Sequence, residues 1–248
     1  MIRKSFIFLD RVGLRSEQNI WKQGIHDWDS FISSKGITGI SSARKPYFER
    51  QINKARKELY NNNASYFTNV LPRGETWRLY DFFKDDAVFL DIETAHYYGD
   101  ITVIGIYDGY DTKMMIKDVN LDKDIIKKEL SKYKLIVTFN GSSFDLPVIE
   151  RYFQGVVPDI PHIDLRHVCS KIGLTGGLKS IEKQLNIRRL DELKHVTGED
   201  AAELWRTYKA TGDEYYLDLL IKYNEEDIIN LKPITEFAVK ELWGKLRK

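Results

Sequence analysis

The eight residues 87–94, with the sequence AVFLDIET, constrain the fold more than any other stretch of the chain. Their first four residues are apolar, which predicts a buried β-strand. Two acids, Asp91 and Glu93, follow one residue apart. Because strand side chains alternate between faces, both carboxylates should project from the same face. Like charges that close repel unless a cation or a proton lies between them, so the pair is a candidate metal site; the alternative is a strand running into a polar turn.

Hydrophobic periodicity after residue 86 predicts strands that alternate with helices. The first three predicted strands form an antiparallel meander, and two more follow among helices. These strands are expected at 87–94, 101–109, 112–118, 134–140 and 159–164. This order predicts an α/β fold with a mixed β-sheet and helices on its faces.

Three details of the predicted helices can be compared directly with a structure. The helix over 121–133 should turn Ile125, Ile126 and Leu130 inward. Ser142 or Ser143 is expected to cap the helix that follows the fourth strand. The last long helix is expected from about Asp213 to Leu231, with Pro233 kinking or restarting it.

Residues 1–85 form a different, basic region. They hold 15 Lys and Arg against 9 Asp and Glu, whereas residues 86–248 hold 23 against 28. Apolar residues at helical spacing follow Ser16, a possible cap, and a basic helical pattern covers 41–60. We therefore predict a mainly helical N-terminal region, 1–85, and a second domain, 86–248. A basic region beside an acidic one suits a polyanion held by the first and a metal held by the second.

Composition excludes several classes of protein. The single cysteine, Cys169, rules out an internal disulfide and a cysteine-rich zinc site. No apolar run approaches the roughly 18–20 residues of a membrane span. The apolar run near the N-terminus is too short for a secretory signal, so the expectation is a cytoplasmic protein with no membrane partner.

Two further acidic motifs accompany the first. In FNGSSFD, residues 139–145, Asp145 follows a strand and begins a helix, where the helix dipole favours an acid by about 0.3–1 kcal/mol. In KYNEEDIINL, Tyr223 and Asp227 are four residues apart and share one helix face. Each motif alone fits an ordinary helix. Because ligands bind at the carboxyl ends of strands in α/β sheets, Asp145 can reach the same edge as Asp91 and Glu93.

The three motifs, in this order, resemble those of the DEDD superfamily of 3′–5′ exonucleases, which have a ribonuclease-H-like fold with helices on both faces of a mixed sheet. Asp91 and Glu93 match motif I, Asp145 matches motif II, and Asp227 with Tyr223 matches motif III. The YxxxD form of the last is typical of the tyrosine (DEDDy) branch. The chain also resembles exonuclease domains that carry DIET, YNGxxFD, DL, LKxxE, an arginine and an aspartate in succession, over roughly residues 86–235.

The resemblance implies two divalent ions, Mg²⁺ or Mn²⁺. Two ions about 3.5–4 Å apart can activate the attacking water, neutralise the phosphate and stabilise the leaving oxygen. Hard carboxylate oxygens suit both metals. The resemblance implies that Asp91 bridges the ions, Glu93 and Asp227 hold the ion that activates water, and Asp145 acts mainly through the other. Tyr223 would orient or help deprotonate the attacking water, and orientation is favoured because a phenol with a pKa near 10 is a weak base.

Several residues are candidates for substrate contact, each with a structural alternative such as turn formation, core packing or solvent exposure. Aromatic side chains can stack on bases without reading their identity. The candidates are Thr94, Asn140, Phe144, Lys179, Tyr97, Tyr98 and, on the basic helix, Arg44, Lys45 and Lys54. Asp164 is expected to cap the next helix rather than bind substrate.

We therefore predict a metal-dependent 3′–5′ exonuclease that acts on single-stranded nucleic acid, DNA more than RNA, and releases nucleoside monophosphates. Two other functions remain open. The same site could trim RNA 3′ ends, or the chain could be a nucleic-acid-binding module that has lost activity. The presence of all four carboxylates argues against the second.

Overall fold

The computed structural model describes residues 1–96 and 99–247. Its centre is a five-stranded sheet with the strand order β3-β2-β1-β4-β5. The strands are β1 (Ala87–Thr94), β2 (Ile101–Tyr107), β3 (Thr112–Ile116), β4 (Leu135–Thr138) and β5 (His162–Asp164). The first three are antiparallel neighbours, whereas β4 is parallel to β1 and β5 is parallel to β4. The predicted meander and mixed sheet are confirmed.

Helices cover both faces of this sheet, as predicted. The helices are α1 (Leu14–Lys22), α2 (Trp28–Ser33), α3 (Lys45–Tyr60), α4 (Ser65–Val70), α5 (Tyr80–Phe83), α6 (Lys123–Leu130), α7 (Asp145–Tyr152), α8 (Leu165–Ile172), α9 (Leu178–Gln184), α10 (Gly198–Thr211) and α11 (Glu214–Leu246). Short 3-10 helices occupy Ile2–Lys4, Arg73–Leu79, Lys84–Asp86 and Asp191–Leu193. Alternation along β1 divides the core: Phe89 packs with α8, α11 and the N-terminal region, while Val88 and Leu90 pack with α6 and α7.

Helix α11 corrects a prediction. It runs without interruption through Pro233 to Leu246, so the expected end near Leu231 is wrong. A proline inside a helix costs about 3 kcal/mol. Beyond it, Ile234, Val239 and Leu242 are buried in the core, and each such side chain contributes about 1.5–3 kcal/mol when fully buried. Burial of this second half therefore outweighs the lost backbone hydrogen bond.

Two local predictions are also wrong. Ser16 does not cap α1, because the helix begins at Leu14 with Gly13 at its N-cap. Ile125 is 49% exposed, whereas Ile126 and Leu130 are fully buried. The latter two lie four residues apart on one face of α6, and Ile125 lies about 100° away from Ile126 around the helix axis.

The N-terminal region is mainly helical, as predicted, and shares a core with the sheet. One contiguous apolar cluster contains Phe6 and Phe31 together with Ala87 of β1 and Ala238 of α11. A buried ion pair also ties this region together: Arg78 Nη1 donates to both carboxylate oxygens of Glu17, at 2.8 and 2.9 Å. The boundary at residue 85 stays a prediction. Among the described helices, none combines the length and hydropathy needed to cross a membrane.

Candidate metal centre

Three carboxylates converge at the carboxyl end of β1. Asp91, Glu93 and Asp227 each offer one oxygen, and these oxygens all lie within 4.8 Å of one another. Strand alternation sets the first two on one face, and α11 packs across that face to bring in Asp227. Glu93 and Asp227 are buried and Asp91 is half-buried. The structure thus brings together acids from two distant motifs.

Asp145, the fourth predicted acid, meets the same strand by a different contact. It is the first residue of α7, and its Oδ1 accepts a 3.1 Å hydrogen bond from the backbone N–H of Ile92. Ile92 lies between Asp91 and Glu93 in β1. Asp145 is only 2% exposed, so this hydrogen bond fixes its carboxylate beside the acidic pair.

The loop between β4 and α7 is held in place by Asp164. Its Oδ1 accepts from the backbone N–H of Asn140 at 2.8 Å, and its Oδ2 accepts from the backbone N–H of Ser142 at 3.1 Å and from the Ser142 hydroxyl. Asp164 also caps α8, as predicted. The expected cap of α7 by Ser142 or Ser143 is wrong, because Ser142 is bound to Asp164 and Phe144 occupies the N-cap position.

Asn140 has a left-handed backbone conformation, with φ of 67°, and its side-chain Oδ1 accepts from Arg166 at 2.8 Å. These contacts favour the turn role that the sequence left open for Asn140. The close packing of this turn also explains why residue 141 is a glycine: a Cβ on Gly141 would lie 2.2 Å from Thr138 Oγ1.

Asn224 and Gly105 are functional candidates that the sequence analysis missed. Asn224 is fully buried, and its Nδ2 donates a 2.8 Å hydrogen bond to Asp91 Oδ2. Gly105 is the β2 partner of Asp91, and a Cβ there would lie 1.9 Å from Asn224 Oδ1. Two features of the sequence could have indicated them. Asn224 is three residues before Asp227 and so lies on the same side of the helix, and a glycine inside a strand indicates that another group approaches the backbone closely.

Two cations lie behind the acidic cluster, against Tyr223. Lys179 Nζ is 4.9 Å from the centre of the Tyr223 ring, and the Arg189 guanidinium is 5.7 Å from it. Lys179 Nζ is buried and has no hydrogen-bond partner among the described residues. Burial lowers the pKa of Lys179. The side chain predicted to meet a phosphate thus packs on the tyrosine.

Arg189 also contacts the acids directly, which the sequence did not reveal. Its Nη2 donates to Asp227 Oδ1, and its Nε and Nη2 donate to the two oxygens of Glu182 at 2.6 and 2.7 Å. Asn230 Nδ2 donates to Glu182 at 2.9 Å. All four side chains are buried or nearly so, and they form one hydrogen-bonded chain that ends at Asp227.

Crowding and burial disfavour the charged form of every acid in the cluster. Burial, followed by the charges of neighbouring carboxylates, raises the pKa of Asp91 and of Glu93 well above their usual values. Burial raises the pKa of Asp145 to about 7, against the hydrogen bond from Ile92. Burial raises the pKa of Asp227 to about 6, although the Arg189 charge opposes it.

The residues present fit a divalent cation. Hard oxygen donors that converge within 4.8 Å match the ligand preference of Mg²⁺ and Mn²⁺. A cation between the carboxylates would relieve the repulsion that raises the pKa values of Asp91 and Glu93. Since both ions prefer oxygen ligands, the donor set does not separate Mg²⁺ from Mn²⁺.

A cleft of about 1020 Å³ opens onto the carboxylates. Its floor contains Asp91, Glu93, Tyr223 and Asp227. Two of the predicted substrate-contact residues, Thr94 and Phe144, line it together with residues of α10. Tyr97 and Tyr98 fall outside the described residues.

The predicted basic contacts lie elsewhere, on the N-terminal region. Arg44 donates to the Asp10 carbonyl at 2.8 Å, Lys45 forms an ion pair with Glu49, and Lys54 stands 5.4 Å from the Tyr66 ring centre. The described residues that line the acidic cleft include none of the three. Their role in nucleic-acid binding stays a prediction.

Comparison with known proteins places this geometry in a family. No curated protein matches the sequence. Among solved structures, the chain is similar to a family B DNA polymerase from the hyperthermophilic archaeon Pyrobaculum calidifontis, with a TM-score of 0.50 and 14% identity over 62% of this chain. The match covers only 24% of the polymerase, so the likeness concerns one part of a larger protein and its fold alone. The family model of the RNase H superfamily matches residues 88–239, more than half of the chain, and the protein therefore belongs to that superfamily.

Proposed function

We propose that this protein is a metal-dependent 3′–5′ exonuclease of the DEDDy type that acts on single-stranded nucleic acid, with DNA preferred. The observation that carries the proposal is that carboxylate oxygens of Asp91, Glu93 and Asp227 lie within 4.8 Å of one another. Asp145 accepts a hydrogen bond from Ile92, which lies between Asp91 and Glu93 in β1. Membership of the RNase H superfamily supports a reaction at a phosphodiester bond.

Asp91, Glu93, Asp145 and Asp227 would hold two divalent ions, Mg²⁺ or Mn²⁺. When bound, such ions supply a nucleophile at neutral pH and charge neutralisation for the phosphate. The hydrolysis forms a bond from water oxygen to phosphorus and breaks the bond from phosphorus to the 3′ oxygen of the preceding nucleotide. That oxygen takes the proton, and a nucleoside 5′-monophosphate leaves.

Tyr223 has a positioning part in this scheme. Burial and the neighbouring carboxylates raise the pKa of its phenol, so the hydroxyl remains protonated at neutral pH. A protonated phenol can donate one hydrogen bond and accept another, which suits it to orient a water.

The cleft suits the end of a single strand. Phe144 and Thr94 line it beside the acids, and an aromatic ring stacks on any base with about 1–3 kcal/mol. Stacking of this kind requires an unpaired base, which favours single strands over duplexes. We propose that Phe144 contacts the terminal base and Thr94 the terminal sugar, while the basic helix α3 contributes phosphate contacts farther along the strand.

The test uses a 5′-labelled oligonucleotide with the full-length protein and Mn²⁺ or Mg²⁺. The expected product is a ladder that shortens in single-nucleotide steps from the 3′ end. Asp91→Ala should abolish it, whereas Asp159→Asn, at an exposed acid outside the cluster, should not. A labelled mononucleotide as the first product would show the opposite polarity. Stronger cleavage of a matched RNA would reassign the substrate, and binding without turnover in either metal would refute an enzyme.

A further inference from the structure

The contacts of Asp227 raise a physical problem for a metal ligand. Its Oδ1 accepts a hydrogen bond from the Arg189 guanidinium, which is a permanent cation with a side chain only 5% exposed. A buried positive charge on a carboxylate lowers the attraction of that carboxylate for a second cation. Without compensation, Arg189 would compete with a divalent ion for Asp227.

Glu182 supplies this compensation. It accepts two of the three hydrogen bonds that Arg189 makes to these acids, at 2.6 and 2.7 Å, and Asn230 fixes the same carboxylate at 2.9 Å. Glu182 is 2% exposed, so its charge is not dispersed by water. The negative charge of Glu182 thus balances Arg189, and the charge of Asp227 remains available.

We propose that Glu182 is a positioning residue that acts on the metal site through Arg189. Glu182 holds the Arg189 guanidinium in a position from which it donates one hydrogen bond that orients Asp227. The carboxylate of Glu182 also neutralises the positive charge of the guanidinium. This rests on the proposed function only in requiring that a divalent ion binds at the acidic cluster. Glu182 touches neither substrate nor metal in this arrangement.

The test is Mn²⁺ affinity of the full-length protein at pH 8, measured by calorimetry without nucleic acid. Glu182→Gln keeps the shape of the side chain but removes its charge, and it should weaken binding about tenfold, as is typical for groups that orient metal ligands. Adding Arg189→Gln to Glu182→Gln removes the uncompensated cation, so the double variant should bind Mn²⁺ more tightly than Glu182→Gln alone. Arg188→Gln, at the exposed neighbouring arginine, should match the unsubstituted protein.

Removing an unpaired buried cation can also restore the fold, so recovery of Mn²⁺ affinity is compared with recovery of the melting temperature. Recovered affinity without a matching rise in the melting temperature separates this role from a purely structural one. Thermal unfolding of each metal-free variant monitors the fold. If Glu182→Gln does not fold, Asn230→Ala removes one hydrogen bond from Glu182 and should still weaken Mn²⁺ binding at least about twofold.

Two results would overturn the proposal. In the first, Glu182→Gln binds Mn²⁺ as the unsubstituted protein does. In the second, the double variant binds more weakly than Glu182→Gln. Either result leaves the exonuclease proposal intact, provided that the unsubstituted protein binds Mn²⁺ and degrades the oligonucleotide. Absence of Mn²⁺ binding by the unsubstituted protein would refute both.

Discussion

Replacement of Gly105 by alanine should damage the acidic cluster, although Gly105 carries no functional group. An added Cβ would stand 1.9 Å from Asn224 Oδ1 and 3.0 Å from its Cγ. Ordinary contact begins at 3.4 Å, so the amide would have to move by about 1.5 Å. The same amide donates the 2.8 Å hydrogen bond to Asp91, and a shift of that size exceeds the range in which hydrogen bonds persist.

The magnitude follows from the two effects. Insertion of a methyl group into a packed interior costs about 1–3 kcal/mol. Loss of a hydrogen bond to a charged group costs about 1.5–3 kcal/mol where the carboxylate is ionised. Since the carboxylate of Asp91 is half-buried and can recruit water, we expect about 2–4 kcal/mol in total. For a protein of this size, the melting temperature should fall by about 4–16 °C.

Urea unfolding monitored by circular dichroism gives the stability change, and the oligonucleotide assay gives the activity, which should fall at least about tenfold because Asp91 is no longer oriented. Gly36→Ala is the matched control, since nothing lies within 4 Å of a Cβ there. Asn224→Ala in the Gly105→Ala background makes room for the methyl group. The double variant should therefore lose less stability than the sum of the losses of the two single variants. If Gly105→Ala unfolds like Gly36→Ala and keeps its activity, the close approach has no consequence and the reasoning is wrong.

Two further outcomes follow from the site. Burial places the pKa of Asp145 near 7 and of Asp227 near 6, above their unfolded values near 3.9, so the folded metal-free protein binds more protons. These two groups should therefore lower its stability as pH rises from about 4 to 8. Buried His162, with its pKa lowered to about 4, opposes this below about pH 6.5, so the test compares melting curves of the unsubstituted protein and Asp145→Asn in a chelator. The substitution should reduce the fall in stability between about pH 6.5 and 8, and an unchanged trend there would contradict the reasoning. Tyr223→Phe should retain Mn²⁺ affinity within about twofold but lower the cleavage rate by up to about 100-fold, because the attacking water loses its orientation. Calorimetry and single-turnover cleavage measure the two effects, and equal rates would exclude the orienting role.

The sequence predicted those parts of the fold in which the pattern of apolar residues matches the residues that the structure buries. Val88 to Leu90 are buried on both sides of the sheet, so their apolar run gives the position of β1 directly. Strand alternation then places Asp91 and Glu93 on one face, and helical spacing places Tyr223 with Asp227. These local rules hold because neighbouring residues decide them.

The part that local rules could not supply depends on contacts between distant segments. Nothing near Pro233 in sequence indicates that Ile234 and Leu242 will be buried and will extend the helix. Likewise, Glu182 is the last residue of the LKxxE motif, but the sequence does not show that it pairs with Arg189 or that the fold buries both beside Asp227. A buried ion pair and an exposed one look the same in the sequence, because burial is decided only when distant segments pack together.

The acidic cluster also explains why its supports are so numerous. Burial and mutual repulsion raise the pKa of Asp91 and Glu93, so without a bound ion the cluster would oppose folding at neutral pH. Neutral donors offset part of this without adding a competing cation: Asn224 reaches Asp91, and the Ile92 N–H reaches Asp145. Of the two nearby cations, Lys179 packs on Tyr223 and Arg189 is already paired with Glu182. An amide or a backbone N–H can share a carboxylate with a metal ion, whereas an unpaired arginine would take the place of the ion. These neutral hydrogen-bond donors therefore hold the acids in place and leave the charge of the acids available to the ion.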